Sequence, residues 1–132
     1  MIDIVFPEEW PERLAFLTAI VSILAGLALM LMPRRMGYIV GITYRNDVPN
    51  GLSEVRGAFG GAWVGLGVAC ILLAQPFSYF TLGLAFVGAV IGRVISVIFD
   101  RALNLHCLIV TVIEVLGAYF TLGFALGAFG LL

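Results

Sequence analysis

The residues of this chain that could do chemistry are few, and they sit among apolar neighbours. Glu54 and Arg56 lie in "GLSEVRGAFGGAWVGLG", Arg93 and Asp100 in "GRVISVIFD", and Glu114 in "TVIEVLGAY". A charged side chain near the centre of a bilayer costs about 2.5 kcal/mol or more on insertion scales, so each of these groups needs a partner. Arg93 precedes Asp100 on the third apolar segment, which places it roughly 10 Å deeper on nearly the same face of a helix. Glu114 follows His106 on the fourth, about 12 Å further in if a helix begins there. The two depths match across an antiparallel pair. The expectation is a buried polar cluster in which Glu54, Asp100 and Glu114 neutralise Arg56 and Arg93. All seven basic residues are arginines, whose planar forks take two carboxylate oxygens at once.

Three uses of such a cluster are open. It could be an ion-pair clasp that fixes helix register, or a polar pocket in which arginines receive a lipid phosphate or a small anion. A proton relay through Glu114 is the third, disfavoured because neighbouring arginines hold a carboxylate ionised. The single histidine, His106, stands beside Asn104 at a loop boundary, where it reads as an interfacial polar residue. As a ligand it would serve only a pigment or metal carried by a partner. With one histidine and two cysteines, no metal site and no cofactor built by this chain alone is expected. Cys70 and Cys107 fall near opposite ends of their helices, too far apart for a disulfide. Ser53, Ser96 and Thr111 read as cap and packing hydroxyls. No nucleophile, base and oxyanion donor can be placed together, so an enzyme is not expected.

These groups must be positioned by helices in lipid. The 132 residues are 62% hydrophobic and 11% charged, outside soluble usage, and four segments approach the ~20 residues that cross a hydrocarbon core as a helix. They run over about 14–32, 57–74, 77–99 and 108–127. Barrel strands would alternate apolar and polar residues, which these segments do not. The predicted fold class is therefore all-α: a four-transmembrane-helix bundle, up-down and antiparallel, with both termini on the same, periplasmic side. Residues 1–13 form an N-terminal interfacial segment and 14–132 the membrane domain, with a long cytoplasmic loop over 33–53.

Orientation follows the arginines. Arg34, Arg35 and Arg45 lie in the first loop and Arg101 in the third, while Arg13 alone marks the N-terminal side; positive loops stay inside. The acids Asp3, Glu8, Glu9 and Glu12 agree. The acidic N-terminus also argues against a cleaved signal peptide. Pro33 and the "RR" after it read as a stop at the interface, "NDVPNG" as a turn before the second span, and Gln75-Pro76 as a tight connection. Trp10, Tyr79 and Phe80 on one side and Tyr38 and Tyr44 on the other fit aromatic belts.

Small residues recur at helical spacing. Gly57, Gly61 and Gly65 form a strip on the second span, Gly88, Gly92 and Ser96 on the third, and Ala15, Ala19, Ser22 and Gly26 on the first. On the fourth, Thr111, Glu114, Ala118, Thr121 and Ala125 share a stripe. Such strips let helix backbones approach in lipid, and they either pack the four helices together or face another subunit. "EVRGAF" and "EVLGAY" are near copies, which raises the alternative of a duplicated hairpin.

The segments "EVRGAFGGAWVGLG" and "GRVISVIFD" resemble those of small bacterial four-helix membrane proteins catalogued as a domain of unknown function, number four-three-four-five. The resemblance covers about Leu14 to Phe124 and rests on Glu54, Arg56, Gly60, Gly61, Arg93 and Asp100. It implies four helices and no established reaction. The acidic N-terminus and the long first loop have no counterpart in it.

Together these features predict a non-catalytic protein of the bacterial inner membrane. The leading expectation is an accessory or assembly subunit docked on a larger membrane complex. The alternative is a lipid or small-amphiphile binding or transport protein using the arginine and carboxylate pocket. Membrane lipids and a protein partner or second copy are the expected contacts, and nucleic acid is not.

Overall fold

Prolines punctuate the chain. A proline tolerates the first turn of a helix, where its missing N–H would have no partner anyway. Pro11, Pro33 and Pro76 each stand in the first two positions of a helix. The computed structural model describes residues 6–45 and 49–132, and its elements are all helices. They are α1 (Trp10–Leu31), α2 (Pro33–Ile39), α3 (Asn50–Leu73), α4 (Pro76–Phe99) and α5 (Leu105–Ala128). Asp3 and the Asn46-Asp47-Val48 part of the expected turn lie outside the described residues.

Four of the five, all but α2, are long and apolar enough to cross a membrane. Large side chains such as Leu24, Ile91, Phe99 and Tyr119 stand exposed on them, as a helix in lipid allows and one in water does not. The largest departure from the expected spans is at α3, which begins at Asn50 rather than near residue 57. Glu54 and Arg56 are thus inside a helix and not at its mouth. Within α3, the segment Val55–Gly61 winds as a π-helix before Ala62–Leu73 returns to α.

That wider turn corrects the glycine strip. The buried residues of α3 are Val55, Gly60, Gly67 and Cys70, so the inward face steps by five residues across the π segment and by about two α turns after it. A strip drawn at four-residue spacing loses phase with that face. A Cβ added at Gly57 or Gly65 would meet nothing within 4 Å, and at Gly61 only its own helix's Arg56 carbonyl, at 3.6 Å. The close approach lies elsewhere. A Cβ on Gly60 would fall 2.6 Å from Met30 and 2.9 Å from the Gly26 carbonyl, and one on Gly67 2.7 Å from the Ala19 carbonyl. These contacts run in opposite order along α1 and α3, so the two helices are antiparallel. The α1 face of Ala15, Ala19, Ser22 and Gly26 is buried in this seam and against α5.

On α4 the strip also faces outward: Gly88 and Gly92 have open space over them, and Ser96 is spent on Asp100, to which its hydroxyl donates at 2.8 Å. The glycine that packs is Gly83, against Leu122 and Thr121 of α5, answered by Gly117 against the Phe86 ring. Tyr79 is not in an aromatic belt. It is 3% exposed and meets Phe124 edge-on with centroids 5.2 Å apart. α4 and α5 are antiparallel by these contacts. The stripe Glu114, Ala118, Thr121 and Ala125 is buried on α5.

Ala74 ends α3 in the left-handed region (φ 48°), its N–H donating to the Cys70 carbonyl at 3.0 Å. This residue turns the chain straight into α4. Trp63 and Phe86, with ring centroids 4.9 Å apart, then join the α1–α3 pair to the α4–α5 pair. Around them Ala15, Ala19, Cys70, Tyr79, Leu82, Phe86 and Ala118 form the core. The turn before α5 is capped by Asn104, whose Oδ1 accepts from the Cys107 N–H at 2.9 Å, satisfying one of the unpaired donors of the first turn.

Candidate functional site

The five charged residues expected in one cluster are divided among separate places. Arg93 lies on the last two turns of α4 and Glu114 on the third turn of α5, so the antiparallel pairing sets them side by side. Arg93 Nε donates to Glu114 Oε2 at 2.6 Å and Nη2 to Oε1 at 2.9 Å. This is the two-pronged geometry that a guanidinium fork offers a carboxylate. The side chains are 32% and 11% exposed, so the carboxylate is covered and the arginine is not. The expected set of buried ion pairs is therefore not formed. With both oxygens of Glu114 engaged, a proton relay through an unpaired carboxyl has no basis in this geometry.

Asp100 does not join them. It follows the last residue of α4, exposed, and accepts from Ser96 one turn back. Glu54 is exposed on α3 and meets no cation among the described residues. His106 is exposed on the first turn of α5, and among the described residues no three His, Cys, Asp or Glu side chains gather as a metal site. Cys70 and Cys107 are both free and buried. Thr111 donates to the Cys107 carbonyl one turn back, at 2.7 Å.

Arg56 answers a backbone need. α1 ends where Met32 leaves helical geometry (φ −124°, ψ 55°) and Pro33, lacking an N–H, follows. Carbonyls of the last turn of α1 then lack their usual donors. Arg56 reaches across from α3 and donates from Nη1 to the Met30 carbonyl. A charge that the sequence pairs with a carboxylate instead closes the end of a neighbouring helix.

This contact builds a feature that the sequence did not reveal. Arg34, Arg35 and Arg56 together with Leu31, Met32, Pro33 and Leu52 line an open recess of about 250 Å³ at the end of α1. Three of its seven lining residues are arginines and none is acidic. The signal available was the "PRR" directly after an apolar span, which reads as a stop without the arginine on α3 that completes it. A second recess of similar size lies beside it in the chain, lined by Ile42, Thr43, Tyr44, Arg45 and Gly51. Its Tyr44 hydroxyl donates to the Pro33 carbonyl at 2.8 Å and braces the loop.

Residues 13–125 match the family described as a domain of unknown function, DUF4345. The chain belongs to the DUF4345 family. The matched region runs from α1 to near the end of α5. It holds the Arg34, Arg35 and Arg56 recess, the Arg93–Glu114 pair and both segments that carried the resemblance. No curated protein and no solved structure matches the chain. DUF4345 as a family thus supplies membership and no reaction.

Proposed function

We propose that this chain is a four-span, up-down membrane bundle of the bacterial inner membrane, with both termini periplasmic. In this reading it acts without catalysis, as an accessory or assembly subunit docked on a larger membrane complex. The observation that carries the reading is the open space over Gly57 and Gly65 on α3 and over Gly88 and Gly92 on α4. In lipid, helices associate by close van der Waals contact at small residues. The chain uses other glycines for its own seams and leaves these for contact with another helix. The hydroxyls of Thr18, Ser22, Thr81, Thr111 and Thr121 are each donated to a carbonyl one turn back on their own helices, which fits a protein without a nucleophile.

The test is recovery of the chain at native abundance in a mild detergent. Co-purification of a membrane partner is expected, and the Gly88→Leu/Gly92→Leu variant should fold but lose it. Recovery as a free monomer would count against the proposal, and self-association alone would turn it into a homo-oligomer.

The alternative, binding of a lipid or small amphiphile, is favoured by the recess at the end of α1. Its residues change from those expected. Arg93 has two donors committed to Glu114, so the binding arginines in this reading are Arg34, Arg35 and Arg56.

A further inference from the structure

We infer that the recess at the end of α1 is a binding site for the phosphate diester of an anionic phospholipid. This rests on the lipid-binding reading above and narrows it to a headgroup class and three residues.

The argument begins with charge. Arg34, Arg35 and Arg56 are three of the seven arginines of the chain, and all line one recess. Arg34 and Arg35 pair with no carboxylate among the described residues. Arg56 is held in place by its hydrogen bond to the Met30 carbonyl. A guanidinium has five N–H donors, so one wall of the recess is a fixed cation with donors to spare. A fork of this kind matches the paired oxygens of a phosphate.

The second element is what lies between the arginines. Leu31, Met32 and Leu52 line the same recess, and Leu31 and Met32 are exposed. Leu31 is the last residue of a helix long and apolar enough to cross a membrane. The site therefore stands where apolar surface gives way to charge, the level at which a phospholipid carries its phosphate above its acyl chains. A soluble anion would use the arginines and leave the apolar part unused. A diacyl lipid satisfies both, and a net negative headgroup adds attraction that a zwitterionic one lacks.

The experiment uses the full chain in a neutral detergent with phosphatidylglycerol titrated in, retention being read by native mass spectrometry. At about 1 kcal/mol, or roughly fivefold, per arginine, the Arg34→Gln/Arg35→Gln variant should bind about thirtyfold more weakly. Undiminished binding by that variant would overturn the assignment. Arg101→Gln removes an exposed arginine outside the recess and should leave binding unchanged; an equal loss there would show diffuse surface charge and overturn it as well. Should the double variant fail to fold, Met32→Glu, which sets a carboxylate in the recess and keeps every arginine, should weaken binding in the same sense. Unaltered retention by Met32→Glu would refute the site. Inorganic phosphate at millimolar concentration should not displace the lipid, and if it does, the recess serves a soluble anion. Equal retention of phosphatidylcholine would sink this inference and leave the broader amphiphile reading standing. Retention of neither lipid would remove both.

Discussion

Removing the guanidinium opposite Glu114 is the sharpest test of how α4 and α5 hold together. Arg93→Leu puts a shorter, apolar side chain toward lipid and leaves the Glu114 carboxylate, 11% exposed, without either of its donors. A hydrogen bond to a charged group contributes about 1.5–3 kcal/mol net, and breaking a fully buried pair costs about 3–5 kcal/mol. The 32% exposure of the arginine side chain places this contact below that range, so about 2–3 kcal/mol is expected after the discount for partial screening. Glu114→Leu should cost less, because the arginine it leaves unpaired is 32% exposed. The double variant should cost much less than the sum, because no unpaired charge remains under cover. Denaturant unfolding of all four proteins in mixed micelles, read by helical circular dichroism, gives the coupling directly. Costs that add within about 0.5 kcal/mol would show that the two groups act independently and would refute the account of the pair.

Further substitutions address three other contacts. Gly60→Ala should destabilise by about 1–3 kcal/mol, the usual range for overpacking, because its Cβ would lie 2.6 Å from Met30 and 2.9 Å from a backbone oxygen; Gly57→Ala and Gly65→Ala should be neutral or stabilising by up to ~1 kcal/mol, and the same unfolding assay separates them. Arg56→Met should leave the Met30 carbonyl without its donor and cost about 1–3 kcal/mol, with hydrogen exchange rising over the last turn of α1. Arg56→Lys should recover part of that protection. Asn104→Ala removes the cap on Cys107 and should cost about 1 kcal/mol, seen as faster exchange confined to the first turn of α5.

The length and hydrophobicity of the spans were legible because a bilayer sets both, and Pro76 stands at the start of α4 where a tight connection was expected, whereas Pro33, read as a stop, also opens the short helix α2 inside the expected loop. The level of Arg93 against Glu114 follows from counting 1.5 Å per residue from the helix ends. Burial does not follow from that count, since it depends on which helix covers which face. Asp100 and Arg56 show a different limit. Each finds a nearby partner, a serine hydroxyl in one case and a carbonyl freed by a neighbouring helix end in the other, and neither competitor appears in a reading that matches acids to bases. The misplaced glycine strip has one cause, the assumption of 3.6 residues per turn through Val55–Gly61. The recess at the end of α1 was hidden for a related reason: Arg56 is more than twenty residues from the "PRR" that it faces, and only the fold of α3 against α1 brings them together.

The π segment also bears on changes of chain length. An α turn holds fewer residues than a π turn, so losing one residue between Val55 and Gly61 would let this stretch rewind as ordinary helix. Everything after Ala62 would keep its contacts with Ala19 and Ile23. Everything before Val55 would keep nearly the same facing, because one residue fewer at about 100° per residue covers about the rotation that the wider turn now spreads over the longer stretch, and Leu52 would stay at the recess. The widened turn is thus the one stretch of α3 that can lose a residue with its two halves still in phase, whereas a deletion within Ala62–Leu73 would turn one half against the other by about 100°.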